Sequence, residues 1–227
     1  MIYQQVLQET GQEDLFHSQK IRGVQEALLL YPRLKGIVSQ AEDRLEAALR
    51  ISALGNILDA GNPNSYDLEE EISQLLAAPL RGASLDLFKD RLDNSSSLLF
   101  LADNAGETVF DRVLIETLDL PVLYAVKSAP ALDDALLEDA RQAGLEELTT
   151  LIETGTSYPG TYLPSCSPEF QDIFRDADLI LAKGQANFET LSDVKRDLFF
   201  LLKVKCEVIS REIGLQLGSL TLKFHPG

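Results

Sequence analysis

The sequence predicts an α/β protein: a mostly parallel sheet covered by helices on both faces, preceded by a helical N-terminal portion. Three observations predict it. Apolar residues before residue 95 recur at helical spacing. After it, short β-rich apolar runs alternate with amphipathic helical stretches. The composition, 45% hydrophobic and 25% charged over 227 residues, is that of a globular chain long enough for a sizeable core.

From Glu13 to Leu92, Ile21, Val24 and Leu28, and then Leu45 and Leu49, fall three or four residues apart with charged residues between them. Asp67 reads as the N-cap of a further helix carrying Leu68, Ile72, Leu75 and Leu76. Ser95-Ser96-Ser97 ends this portion, so the chain divides into residues 1–94 and residues 95–227. Leu98 to Ala102 reads as a buried strand, followed by a helix through Val109, Val113 and Leu114. Val122 to Val126 is the next strand, followed by a helix from Leu136 to Ala143. Leu179 to Ala182 and Phe199 to Leu202 add two more strands, each followed by helical sequence. Gly218 to Phe224 alternates and adds a final strand, with an antiparallel direction among its options. Gly155 to Ser165 is rich in turn formers and reads as a long surface loop.

Charge and residue counts exclude several functions. Acidic residues outnumber basic ones by 36 to 20, a net charge of −16, so the surface repels nucleic acid and anionic membranes. The same surface opposes casual self-association, and a monomer or weak homodimer is expected. No apolar run approaches a membrane span, and the start, Met1 to Thr10, lacks the pattern of an export signal. With only Cys166 and Cys206, a reducing cytoplasm is the expected compartment. A zinc site would need His17, His225, Cys166 and Cys206 to converge, so any metal is expected to sit on oxygen ligands, as magnesium or manganese does. Cys166 is expected in an exposed loop and Cys206 in the interior. The glycine-rich nucleotide loops and the G-x-S-x-G elbow are absent.

Parallel sheets bind ligands beyond the carboxyl ends of their strands, so those positions carry the functional information. The first strand runs into Asp103-Asn104-Ala105-Gly106-Glu107, and the second into Lys127 and then Asp133-Asp134. The third ends at Lys183-Gly184-Gln185-Ala186-Asn187-Phe188-Glu189, and the fourth at Lys203 and Lys205. Carboxylates, an amide and lysines on one rim suit a divalent cation together with a phosphate ester. A cation on Asp103 and Asp134, with a lysine alongside, would supply the local positive field that an acidic protein otherwise denies a phosphate. Asn104 would add a neutral oxygen ligand. Each residue also has a plainer reading: Asp103 and Asp133-Asp134 as helix caps, Lys183 as a solvated turn, and Lys203 and Lys205 as ordinary strand-end charges.

The string Ala102 to Arg112, Ala-Asp-Asn-Ala-Gly-Glu-Thr-Val-Phe-Asp-Arg, resembles the metal-site signature of the damage-control phosphatases, metal-dependent enzymes long filed as a domain of unknown function. Pro130 to Ala140 is similar to that family's second block, and Lys183 to Glu189 to its Lys-Gly-Gln-Gly-Asn-(Phe/Tyr)-Glu block. Gly55 to Asp59 and Leu201 to Cys206 resemble weaker blocks, and the match is to the stand-alone microbial branch. The resemblance implies a three-layer α/β/α domain whose N-terminal helical portion caps the active site. It implies hydrolysis of small phosphomonoesters, sugar phosphates or phosphorylated cofactor fragments, some of them damaged metabolites. One divalent cation (manganese, cobalt, nickel or magnesium) would be held by Asp103, Asn104 and Asp134. Asp103, Asp134 and Lys183 would be catalytic, and Asn56, Asp59, Lys183, Gly184 and Asn187 would bind substrate. Asp133 stands where the family usually has Asn, and Ala186 where it usually has Gly. These departures leave a second reading, a protein that binds a phosphorylated metabolite without turning it over. Asp103-Asn104 lacks the D-x-D spacing of nucleophilic aspartate phosphatases, which favours attack by water. Glu107 and Asp111, one helical turn apart, are expected just behind the ligands.

Overall fold

The computed structural model describes residues 2–54, 79–82 and 85–227. Asn56, Asp59 and the helix expected after Asp67 lie outside the described residues. The helical portion contains α1 (Ile2–Thr10), α2 (His17–Gln40), α3 (Arg44–Leu54) and α4 (Leu85–Asp93). Then follow β1 (Leu98–Leu101), α5 (Thr108–Ile115), β2 (Val122–Val126), α6 (Leu137–Gln142) and β3 (Thr150–Glu153). The chain closes with α7 (Pro168–Asp176), β4 (Leu179–Lys183), α8 (Gly184–Leu191), β5 (Leu198–Lys203), α9 (Glu207–Ile213) and β6 (Leu220–His225).

The six strands form one sheet in the order β3-β2-β1-β4-β5-β6. Every neighbouring pair is parallel except β5 and β6, so the final strand is antiparallel. Strand periodicity sorts the core into two layers. Leu98, Phe100, Tyr124, Leu179, Leu181, Phe199 and Leu201 pack with Val24, Leu34 and Leu49 of the helical portion and with Val109 and Phe110 of α5. Leu99, Leu101, Ile180, Phe200 and Leu202 turn the other way, against Phe170, Phe174, Phe188, Leu191 and Ile209 of α7, α8 and α9. This is the three-layer α/β/α arrangement, and its first core cluster runs unbroken across residue 95.

Two elements differ from the sequence reading. β3 has no continuous apolar run. It lies at the sheet edge with its end residues exposed, and edge position removes the double-sided burial that marks the central strands. The loop after it is not confined to the surface, because Thr154, Thr156, Thr161 and Cys166 are buried. Cys166 is therefore interior rather than exposed, and burial pushes its thiol up to about 11. Cys206 is only partly buried, and both thiols are free. At the opposite edge Arg81 covers β6: its amide donates to Leu220 O at 2.9 Å and its carbonyl accepts from Leu222 N at 3.2 Å. No described helix is long and apolar enough to cross a membrane.

Phe200 tests the second layer. It is fully buried, with its ring edge-on to Phe188 at 5.0 Å between centroids. Phe200→Ala is expected to cost about 3–5 kcal/mol in denaturant unfolding, the usual range for emptying an aromatic core position.

Candidate active site

Strand order reverses at β1, which has β2 on one side and β4 on the other. The crevice between the carboxyl ends of β1 and β4 is therefore the topological switch point of the sheet. β1 leaves the sheet through Ala102-Asp103-Asn104 into a 3-10 turn, Ala105–Glu107, and then α5. Helix α2 lies across this turn, backbone against backbone: a Cβ built on Gly23 would stand 3.6 Å from Gly106 Cα. β2 leaves through Lys127, and its loop folds back under two bonds, Ala135 N to Asp103 O at 2.8 Å and Ala105 N to Asp133 O at 2.9 Å. Leu132, at φ 55°, makes the turn within that loop. Asn104 and Asp134 become bridge partners, which brings together backbone that lies 30 positions apart in the chain.

The capping alternatives do not describe these residues. Asn104 occupies the N-cap position of the 3-10 turn without a side-chain capping bond. α6 begins at Leu137, beyond Asp133 and Asp134, and its capping acid is Asp139, which accepts from Leu136 N at 2.9 Å. Asp103, Asn104 and Asp134 are all buried, with 7%, 8% and 4% of their surface exposed.

Gly184 closes the third side. At φ +80° it holds a backbone conformation that side chains resist, and a Cβ there would fall 1.7 Å from Asp103 Oδ2. Glycine is thus required both by the turn and by the carboxylate pressed against it. Asn187, one helical turn further on, is fully buried and clamps the two strand ends together. Its amide donates to Ala102 O at 3.0 Å and to Lys183 O at 2.7 Å, and its Oδ1 accepts from Thr161 Oγ1 at 2.7 Å.

Lys183 shares the parity of Leu179 and Leu181, so it points into the first core layer rather than into solvent. Its ammonium donates to Glu107 Oε2 at 2.9 Å and to Asp111 Oδ1 at 2.6 Å. Asp111 also accepts from Ser52 Oγ at 2.6 Å and from the Tyr124 hydroxyl at 2.8 Å. Burial opposes the charged lysine, yet Asp111 and Glu107 together hold its pKa above the usual value. A second buried lysine, Lys127, donates to Gly160 O and lies 3.5 Å from Asp134 Oδ2.

The charge balance of this cluster is uneven. Asp103, Glu107, Asp111 and Asp134 bring four carboxylates below the surface against the two ammoniums of Lys127 and Lys183. Burial, and then the charges of Glu107 and Asp134, push Asp103 well above the usual carboxylate range. Burial raises Glu107 as well, with Lys183 pulling it partly back. Asp134 is raised by burial to about 6, against the pull of Lys127. Glu107 Oε1 and Asp134 Oδ2 are buried and receive no hydrogen bond. Four buried carboxylates sharing two ammoniums, with Glu107 Oε1 left without a hydrogen bond, form a site where a bound divalent cation would favour the ionised carboxylates. Two carboxylates and an amide, hard oxygen donors without Cys or His, fit such an ion. Among the described residues no group of three His, Cys, Asp or Glu side chains is arranged to hold a metal ion by itself.

The damage-control phosphatase ARMT1-like domain matches residues 1–221. The chain belongs to this family. A damage-control phosphatase of Pyrococcus horikoshii is 35% identical over 227 residues, an alignment covering 97% of this chain and 78% of that protein. One of Archaeoglobus fulgidus is 31% identical over 229 residues, covering 98% and 80% respectively. A crystal structure of a DUF89-family protein from Pyrococcus horikoshii superposes with a TM-score of 0.89 at 33% identity, covering 99% of this chain and 80% of that one. Family membership and the α/β/α fold thus agree with the resemblance and the fold class read from the sequence. Sequence reasoning passed over Ser52 and Tyr124, which carry no local signal, and it did not pair Lys127 with Asp134. Position at a strand end was the only signal available for Lys127.

Two outcomes test this geometry. Gly184→Ala forces Asp103 to move and strains the backbone by about 1–2 kcal/mol, so phosphatase activity and thermal stability are both expected to fall. Asp134 ionises at about 6 in the folded protein and at 3.8 when unperturbed, so the native state holds the extra proton between those values. Burial of the charge therefore destabilises the metal-free fold progressively as pH rises through that window. Asp134→Asn is expected to gain stability relative to the parent over the same window in chelator, measured by thermal unfolding.

Proposed function

We propose that this protein is a divalent-metal-dependent phosphatase acting on small phosphomonoesters, sugar phosphates or phosphorylated cofactor fragments, including damaged forms. Its family supplies the phosphatase role in metabolite repair, and one observation supports the rest: the buried, uncompensated carboxylates where β1 and β4 diverge. Asp103, Asn104 and Asp134 would hold manganese, cobalt, nickel or magnesium. The cation would supply Lewis-acid stabilisation of charge developing on the phosphoryl group.

The chain's own groups then divide the work. Lys183 is screened from solvent by Glu107 and Asp111, so it acts as a fixed positive charge behind the site and lowers the cost of ionising Asp103. Lys205 is exposed at the rim and its charge reaches both Asp103 and Glu107. It is the cation placed to meet an incoming phosphate, a role the sequence reading did not assign to it. Gly184 opens α8, whose first amides add donors for the phosphate oxygens. Asn187 holds the β1 and β4 ends at a constant separation. Asn56 and Asp59 retain their proposed place at the substrate through the family resemblance alone.

Phosphate release from a panel of phosphomonoesters, first in EDTA and then with each of the four metals, tests the proposal. Activity restored by metal is expected, and binding without release would favour the phosphometabolite-binding reading. Asp103→Ala and Asp134→Ala are expected to reduce metal-stimulated hydrolysis by about 100-fold or more with an unchanged circular dichroism spectrum. Lys205→Ala is expected to raise KM about 10-fold, the loss of one charge-assisted hydrogen bond. Lys183→Ala leaves Glu107 and Asp111 buried without their cation and is expected to cost about 3–5 kcal/mol of stability as well as turnover.

A further inference from the structure

The loop joining β3 to α7 is anchored on the site and carries two aromatic rings that nothing in the fold accounts for. Its centre is Gly160. The Gly160 carbonyl accepts from Lys127 Nζ, and its amide faces the Asp134 carboxylate. A Cβ on Gly160, which has φ +69°, would stand 2.3 Å from Ala186 O and 2.7 Å from Thr190 Oγ1, so the loop is pressed onto α8 at that point. Both arms are tied down. Thr161 N donates to Thr190 Oγ1 at 2.9 Å, Tyr158 N donates to Thr156 Oγ1 at 3.1 Å, and Thr156 Oγ1 meets Ser165 Oγ at 2.8 Å.

Tyr158 and Tyr162 stand two residues to either side of Gly160. Each Cα is thus within about 7 Å of the backbone that touches Asp134 and Lys127. Their rings lie 5.9 Å apart at 46°, and the residues are 43% and 47% exposed. Two aromatic side chains held half-open on a pinned loop forgo the burial that normally stabilises such residues. The elements around them are complete: the α8 face of the loop is filled by backbone and threonine contacts, and the second core layer lies beneath α7 and α8. They stand on the loop whose Gly160 backbone touches Lys127 and faces Asp134, which ties them to the rim where a phosphate would sit.

We propose that Tyr158 and Tyr162 form an aromatic wall that receives the organic part of the substrate, so that this site favours phosphate esters bearing an aromatic ring over short open-chain ones. The inference rests on the phosphatase reading of the same site and names its specificity element. A phosphate near Asp134 and the start of α8 would lie beside Gly160, which contacts both. A planar substituent there gains face or edge contact with the tyrosines, whereas a methyl or glyceryl group is too small to reach both rings. Because the loop is already ordered by Lys127, Thr156, Thr161 and Gly160, little conformational freedom is lost when the contact forms.

Phenylphosphonate and methylphosphonate, which carry the same head group on a P–C bond that replaces the hydrolysable ester, test the wall by calorimetry on the metal-loaded full chain. The parent protein is expected to bind phenylphosphonate about 2- to 12-fold more tightly, in line with the value of one aromatic contact. Tyr158→Ala/Tyr162→Ala is expected to lose that margin and keep its methylphosphonate affinity, whereas Tyr158→Phe/Tyr162→Phe keeps both. Equal binding of the two ligands by the parent, or an unchanged margin in the alanine variant, overturns the wall and leaves the phosphatase reading standing. Failure to bind either phosphonate, together with absence of metal-stimulated phosphate release, overturns that reading and the wall with it.

Discussion

The ammonium of Lys183, held between Glu107 and Asp111, is the interaction on which the rest of this structure depends. It joins the end of β4 to α5, and through Asp111 it gathers Ser52 from α3 and Tyr124 from β2. Four elements distant in the chain are thereby drawn to one buried point behind the crevice. Burying a lysine is tolerable only where carboxylates meet it, and two carboxylates around one lysine leave a negative remainder. Asp103 and Asp134 enlarge that remainder, and Lys127 offsets part of it. The polar interior is thus more stable the more positive charge surrounds it, and a cation bound as proposed would add to that stability.

The same geometry explains the division between buried and exposed lysines at the rim. Strand parity sends Lys183 into the first core layer, while Lys205 lies past the end of β5 and stays exposed. One cation therefore serves the interior and the other meets solvent. A protein of net charge −16 needs such a local arrangement to admit an anion at all. The loop around Gly160 completes the crevice from the β2 side, contacting Lys127 and α8 at once.

Much of this was legible in the residues. The central strands β1, β2, β4 and β5 are buried on both faces, so each is a short apolar run that stands out from its surroundings. The polar residues following each run then mark the binding rim, because parallel sheets place their ligands there. β3 escaped notice because an edge strand needs no continuous apolar run, and the loop after it was read as surface because its threonines and glycines look like turn chemistry. Here the Thr156 and Ser165 hydroxyls bond each other, the Thr161 hydroxyl donates to Asn187, and the Thr161 amide donates to Thr190 Oγ1.

The amino-acid order was sufficient for the layer architecture, since periodicity is a local property, and its ordered motifs resemble the family to which the chain belongs. Folding settled which charge answers which. Lys183 finds Asp111 across 72 positions and Ser52 finds Asp111 across 59, and no periodic pattern links residues so far apart. Pairing of that kind follows from where the sheet and helices bring side chains together out of water, where an unmatched charge is costly and partners are chosen by proximity.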